Sequence, residues 1–353
     1  MNSVAGVTGI DPRSWTVTIL PLPKRFSRGV AYGFCSGHPV GRAETARGKS
    51  FGCWWPDNEP LLLAFDEKNK EVTAGRPSGG ELIPGHRSGK GGAMKAVAWK
   101  LDGECLVPAD LHDESYESTW ATGAGGGVVV GMGTPPGKLG KRGPDVGLLW
   151  RDGAETAVIT GIGNVNILAT DGTRLAGSLD GRATLWPSAG ATPIDLAPAS
   201  MPPSEVDALD AEWQVGIAWK GMCARAGLWR GTAASFCDLT PDGFESGRAF
   251  GAAEGYQAGF VRRRDTTLNG SSGSDDCAVL WQGAANRWFN LNELLPEKKY
   301  NASVAWAIEV RGDTVRICGE ASRYEVSDPG TPQESHFVPV AHPVLWTARL
   351  GGG

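Results

Sequence analysis

The chain carries little of what most enzyme families use. Histidine occurs five times in 353 residues, and there is no Gly-x-Ser-x-Gly elbow, phosphate-binding glycine loop or EF-hand calcium loop. The seven cysteines, Cys35, Cys53, Cys105, Cys223, Cys237, Cys277 and Cys318, show neither a CxxC pair nor zinc-ligand spacing. Their odd number excludes a fully paired disulfide framework. Four lie in or at the end of strand-like runs, where a buried free thiol is the expectation, and a reducing, cytoplasmic setting follows. No window approaches the roughly 18 consecutive apolar residues of a membrane span. The N-terminus, MNSVAGVTGIDPRSW, lacks the basic and apolar regions of a secretory signal. No segment sustains a 3.6-residue apolar period, which argues against a helical fold. The net charge of -5 exerts no overall pull toward nucleic acid or membrane. Neither a metal nor a cofactor is expected.

Glycine and tryptophan, by contrast, are abundant, at 51 and 14 residues, which suits many tight turns within packed β-structure. The shortest complete copy of a recurring unit is NVNILATDGTRLAGSLDGRATLWPSAGATPIDLAP, residues 164 to 198. It contains four short apolar runs separated by Gly, Asp, Ser and Pro, the punctuation expected between strands. The second run ends in Gly177 and the third in Trp186. The same Gly and Trp recur in order along the chain: Gly41 with Trp55, Gly85 with Trp99, Gly131 with Trp150, Gly177 with Trp186, Gly216 with Trp229, Gly259 with Trp281, and Gly319 with Trp346. The mean spacing of roughly 48 residues falls in the range of propeller blades.

A fourth apolar run follows each of the first six Trp residues, but after Trp346 too little chain remains for another. The missing copy is at the other end, where WTVTILPLP, Trp15 to Pro23, matches the fourth-run pattern. An N-terminal strand at about 15–22 is therefore expected to complete the last unit and close a ring, which removes exposed sheet edges. A chain of this length would ordinarily split into two domains, but a ring of repeats escapes that limit.

On these residues the whole chain resembles a seven-bladed β-propeller: all-β, four antiparallel strands per blade, one domain over residues 1–353. The RATLW, RAGLW and CAVLW segments, with DL or NL following, are similar to the short bacterial repeats called HAF-type, although the His-Ala-Phe part is absent. The resemblance implies little about activity, because propellers host lectins, scaffolds, lyases, isomerases and hydrolases alike. The seven recurrent Trp residues are expected in the core, against the neighbouring blade.

In such a ring the connections from second to third strand, and those between blades, share one face. The former vary from the short Ser178 to Arg182 to the long Glu320 to His342, so function is expected there. In the first three, Arg42, Arg47, Lys49, Arg87, Lys90, Lys95, Lys138, Lys141 and Arg142 face only Glu44 and Asp145, while the seventh is acidic through Glu320, Glu325, Asp328 and Glu334. HRSGKGGAMK and GKLGKRG place cations among glycines, so that backbone N–H groups can also approach an anion. His86, His112, His336 and His342 are assigned to this face and His38 to the opposite one.

Three functions follow as expectations. The first is a binding module for an anionic small molecule or an extended anionic ligand, held by Arg87, Lys90, Lys95, Lys138, Lys141 and Arg142, with Trp219 as a stacking platform. The second is a lyase or isomerase of a bacterial metabolite, with His86 or His112 as acid/base, Asp113 orienting the imidazole, and Arg87 or Lys90 holding a carboxylate. The third is a scaffold engaging an acidic protein segment.

Overall fold

Each Gly–Trp unit folds as one antiparallel sheet whose strands lie in sequence order from the channel outward. The structure, a computed structural model, describes residues 7–65, 72–137, 143–161, 163–263, 276–296, 299–326 and 337–351. Blade 4 shows the pattern, with strands Val165–Thr170, Leu175–Leu179, Arg182–Trp186 and Ile194–Asp195. Seven such sheets form the ring, and among the described residues helix is confined to short 3-10 turns. None of the described helices is long and apolar enough to cross a membrane. Blade 7 consists of Ala302–Arg311, Thr314–Val326 and Phe337–Arg349, and its outer strand is Thr16–Ile19, paired antiparallel as Thr16↔Thr347 through Ile19↔Val344. The N-terminal strand thus closes the ring.

The seven third-strand Trp residues are 0–2% exposed, and each joins a cluster with the preceding blade. Trp346 packs with Ala258, Leu280 and Leu291 of blade 6, and Trp55 packs with Leu20 and Leu345 of blade 7. The Trp55 Nε1 donates to Pro21 O at 2.8 Å, and the Trp99 Nε1 donates to Ala64 O at 2.7 Å. Each ring removes roughly 150–250 Å² from water, so the core is a set of blade interfaces rather than a single centre.

The recurrent Gly has an equally local cause. In six blades the first strand carries a bulge, and the extra residue, Tyr32, Thr122, Leu168, Asp207, Phe250 or Trp306, turns into the central channel. The Gly pairs with the residue before the bulge, where the first-strand backbone crosses very close. A Cβ on Gly41 would lie 1.9 Å from Val30 O, on Gly131 1.8 Å from Trp120 O, on Gly177 1.9 Å from Asn166 O and on Gly319 2.0 Å from Val304 O. No side chain fits there.

Blade 2 departs from this pattern. Its first strand, Val72–Ala74, ends early, and Arg76–Pro77 pair parallel with Gly123 and Ala124 of blade 3. Ser78 N donates to Ala124 O and Gly79 N to Phe34 O, so residues 76–79 bridge blades 1 and 3 along the channel wall and carry Arg76 into it.

Several residues assigned to loops from sequence are on strands. Arg42 belongs to His38–Thr45, His86 and Arg87 to Leu82–Ser88, and Lys95 to Met94–Asp102. The long seventh connection is largely a ribbon, paired without interruption from Thr314↔Arg349 to Val326↔Phe337. Its outer part, from Arg323 onward, extends beyond the first strand, which begins at Ala302↔Ser322. Trp219 is likewise a half-buried strand residue of Gln214–Lys220, paired with Ala224, rather than a loop residue. The seven cysteines are free thiols; Cys35, Cys53 and Cys318 are buried and Cys105 is exposed.

Candidate functional site

The first strands line the central channel, which the side chains divide into two chambers. The upper, of about 600 Å³, opens toward the second-to-third connections; the lower, of about 490 Å³, opens on the opposite face. Arg76, Tyr32, Leu168 and Trp306 line both, so the partition lies at the level of the bulge residues.

The upper chamber draws on a second repeated position, the residue after each recurrent Gly. Glu320, Arg42, His86 and Met132 occupy it on blades 7, 1, 2 and 3, and all four line the chamber. Three titratable groups are thus placed side by side by register alone. Around them stand Tyr32, Trp120 and Trp306; the Tyr32 ring meets Trp306 edge-on at 6.0 Å. The Arg42 guanidinium lies 5.9 Å from the Tyr32 ring centroid and makes no hydrogen bond or ion pair to any described residue.

Burial governs the ionisation here. It pushes the Glu320 carboxyl up to about 7, opposed by Arg42 and assisted by the Asp276 carboxylate. It raises the Tyr32 hydroxyl well above its ordinary range and lowers His86, whose imidazole is therefore neutral at pH 7. The chamber offers one cation with no hydrogen bond or ion pair to a described residue, one carboxyl poised near neutrality, a neutral imidazole and aromatic walls. Such a set can hold a carboxylate and exchange a proton with what it holds.

The partition is a charge network. The Asp207 side chain, 1% exposed, accepts from Arg76 Nη1 at 2.8 Å, Arg248 Nε at 2.7 Å and Arg248 Nη2 at 2.7 Å. Arg248 also reaches Glu205 at 2.6 Å, and Asn166 Nδ2 donates to Glu205 at 3.0 Å. The Arg76 guanidinium lies 4.8 Å from Phe250 and 5.0 Å from Trp306. Two guanidinium groups balance two carboxylates, which makes so buried a set tolerable. Burial raises Glu205, an effect that Asp207 adds to and Arg248 opposes.

Of the residues given a binding or acid/base role from sequence, His86 lines this chamber, as do Arg42 and Glu320, which the sequence marked only by their charge. Arg87 pairs with Asp110 at 2.5 Å and stacks on Phe65 at 4.7 Å, and Lys95 pairs with Glu114 at 2.6 Å. Arg87 and Lys95 are thus paired with carboxylates from the fourth strand of blade 2 and the following connection, which a tally of second-to-third connections omits. The His112 side chain is 3% exposed, its Nδ1 lies 2.9 Å from Thr119 Oγ1, and its Nε2 lies 3.8 Å from Glu114. Its partners are thus Thr119 and Glu114, and Asp113 makes its hydrogen bond elsewhere. That exposed carboxylate accepts from Ser115 N at 2.7 Å, a turn-forming contact that holds it below the usual carboxylate range. Lys90 begins a single 3-10 turn, Lys90–Gly92. Lys138, Lys141, Arg142 and His336 lie outside the described residues. His342 packs against Tyr300 at 5.8 Å, and His38 is on the opposite face, its Nδ1 accepting from Asp57 N.

The comparisons with known proteins agree on fold. No family model matches the chain, and no curated protein does. A puromycin hydrolase complexed with PGG superposes with a TM-score of 0.55 at 12% identity, over 85% of this chain and 51% of the other. Prolyl oligopeptidase B from Galerina marginata, bound to a 25mer macrocyclization substrate, superposes at 0.51 and 10% identity, over 94% and 51%. The β-propeller domain of the Trilobed protease from Pyrococcus furiosus reaches 0.40 at 9% identity, over 78% and 99%. The chain spans about half the length of the first two. At such identities the likeness is one of architecture, and the similarity to HAF-type repeats finds no support among them. The chain is, on its structure and these neighbours, a seven-bladed β-propeller.

Proposed function

We propose that the protein is a binding propeller whose upper chamber takes a small organic anion, a carboxylate carried on an apolar or aromatic body. The observation that carries this reading is Arg42. It is a guanidinium without an ion-pair partner among the described residues, set over Tyr32 at the mouth of an aromatic chamber of about 600 Å³, where a carboxylate can displace water and pair bidentately. This keeps the anionic ligand expected from sequence but moves its anchor from the rim, where Arg87 and Lys95 are already neutralised, to the channel. Calorimetry with 3-phenylpropionate, and with its neutral amide as control, tests it. Arg42→Ala should weaken 3-phenylpropionate by about 10-fold or more, the cost of losing a charge-assisted hydrogen bond, while Arg87→Ala leaves it unchanged. Equal affinity of wild type and Arg42→Ala would sink the reading.

A second reading has one specific observation in its favour. Glu320, with a carboxyl near neutrality, stands at the same register level as Arg42 and His86, the arrangement needed to take a proton from carbon beside a bound carboxylate, as in a lyase or isomerase. In that case Glu320→Gln abolishes consumption of a substrate that the variant still binds, whereas a pure binder returns its ligand unaltered.

A further inference from the structure

On the reading that the upper chamber holds a carboxylate at Arg42, we infer that its ligand is a dianion with two separated carboxylates, the second held by Arg76 at the chamber floor. Three observations support this. Arg76 is accessible, with 30% of its side chain exposed against 1% for its partner Asp207, and it lines both chambers. It is also replaceable where it now sits. Asp207 accepts two further hydrogen bonds from Arg248, each of 2.7 Å, so the departure of Arg76 leaves no buried carboxylate without a partner and avoids the heavy cost of an unpaired internal charge.

The third observation is spacing. Arg42 shares the tier of Val30 and Glu320, one residue before the Gly–bulge level, whereas Arg76 pairs with Gly123, one residue past the bulge at Thr122. In blade 1 Arg42 pairs with Val30 and Val40 with Gly33, the residue past the bulge, so the two levels are two strand residues apart, and the backbone positions of Arg42 and Arg76 stand about 7 Å apart along the channel. One carboxylate cannot bridge that distance, but a chain bearing one at each end can. Between the two lie the Tyr32 and Trp306 rings, 6.0 Å apart, a surface suited to the apolar spacer of such a molecule and not to a hydrated point dianion.

The test compares hexanoate, adipate and sulfate by calorimetry at one pH and ionic strength. Hexanoate and adipate share a carbon count and differ in the second carboxylate; sulfate places both charges at one point. Wild type should bind adipate about 10-fold or more tighter than hexanoate, and sulfate should not compete. Arg76→Gln should erase the advantage of adipate while leaving hexanoate unchanged, Arg76→Lys should retain part of it, and Arg42→Gln should weaken both acids. Thermal melts of the Arg76 variants, taken in parallel, show whether the network keeps its fold; if Arg76→Gln unfolds, Arg76→Lys carries the comparison. Equal binding of hexanoate and adipate by wild type overturns the inference while leaving the chamber reading intact, and so does sulfate competing as well as adipate. An Arg76→Gln protein that keeps the full advantage overturns it as well. Binding of neither acid overturns the chamber reading and this inference together.

Discussion

Replacing Gly177 by Ala isolates the constraint that generates the repeat. Gly177 is buried in the second strand of blade 4, at φ and ψ that an alanine can adopt, and an added Cβ would lie 1.9 Å from Asn166 O and 2.9 Å from its carbonyl carbon. Normal contact needs over 3 Å, so either the first and second strands separate by about 1 Å, breaking Asn166↔Ser178 and Ile167↔Gly177, or the bulge that projects Leu168 is lost. Forcing a methyl group against backbone in a packed sheet costs about 3 kcal/mol, the upper end of ordinary overpacking, because backbone cannot rotate away. Two other glycines serve as controls. Gly190 has open space around its Cβ position and no left-handed φ; Gly181 also has open space but a φ of +73°. Gly190→Ala should be neutral or slightly stabilising, by about 0.4–1 kcal/mol through the unfolded state, and Gly181→Ala should cost about 1 kcal/mol through backbone strain. An unfolding entropy of roughly 0.7 kcal/mol/K for a chain this size converts 3 kcal/mol to a fall of about 4 °C. Differential scanning calorimetry resolves that from the controls. A Gly177→Ala melt equal to that of Gly190→Ala would refute the close-approach explanation for all seven positions.

Two further outcomes follow from closure and from burial. Deleting residues 1–22 removes the outer strand of blade 7, the buried Leu20 and the Pro21 carbonyl that accepts from Trp55; the exposed Phe337–Arg349 edge should then cause aggregation or a large loss of melting temperature, and an unaltered monomeric melt would contradict closure. Glu320 should make stability fall as pH rises. Its carboxyl titrates near 7 in the folded chain against about 4.3 when unfolded, so the folded state keeps a proton that the unfolded state releases, and stability declines from about pH 4.3 to 7 and is level above. Glu320→Gln should remove that slope from a set of denaturant melts across pH, and a variant with the wild-type profile would show that Glu320 is not the group responsible.

Much of this fold is legible in the residues because its causes act over a few positions. Gly177 is dictated by the backbone of the adjacent strand, and Trp186 by the face it must bury, so both leave marks that recur blade after blade and identify even the displaced strand at Thr16–Ile19. The bulges leave no such mark. Tyr32, Asp207 and Trp306 share no residue type, because the channel asks each for something different. Arg42, His86 and Glu320 did carry a signal, the position after a recurrent Gly, but charge along the chain hides it among residues of the same sign.

What the sequence determined by itself is the number of blades, the order of strands and the closure, since each rests on a local steric or burial requirement repeated seven times. What only the tertiary structure decided is the site. Tyr32, Arg42, His86, Trp120 and Glu320 come from four blades and meet only when the ring closes. Arg87 and Lys95 lose their availability to Asp110 and Glu114, and Arg76 reaches the channel because one strand leaves its sheet. Electrostatics depends on distance in space, and in a closed ring that distance bears little relation to distance along the chain.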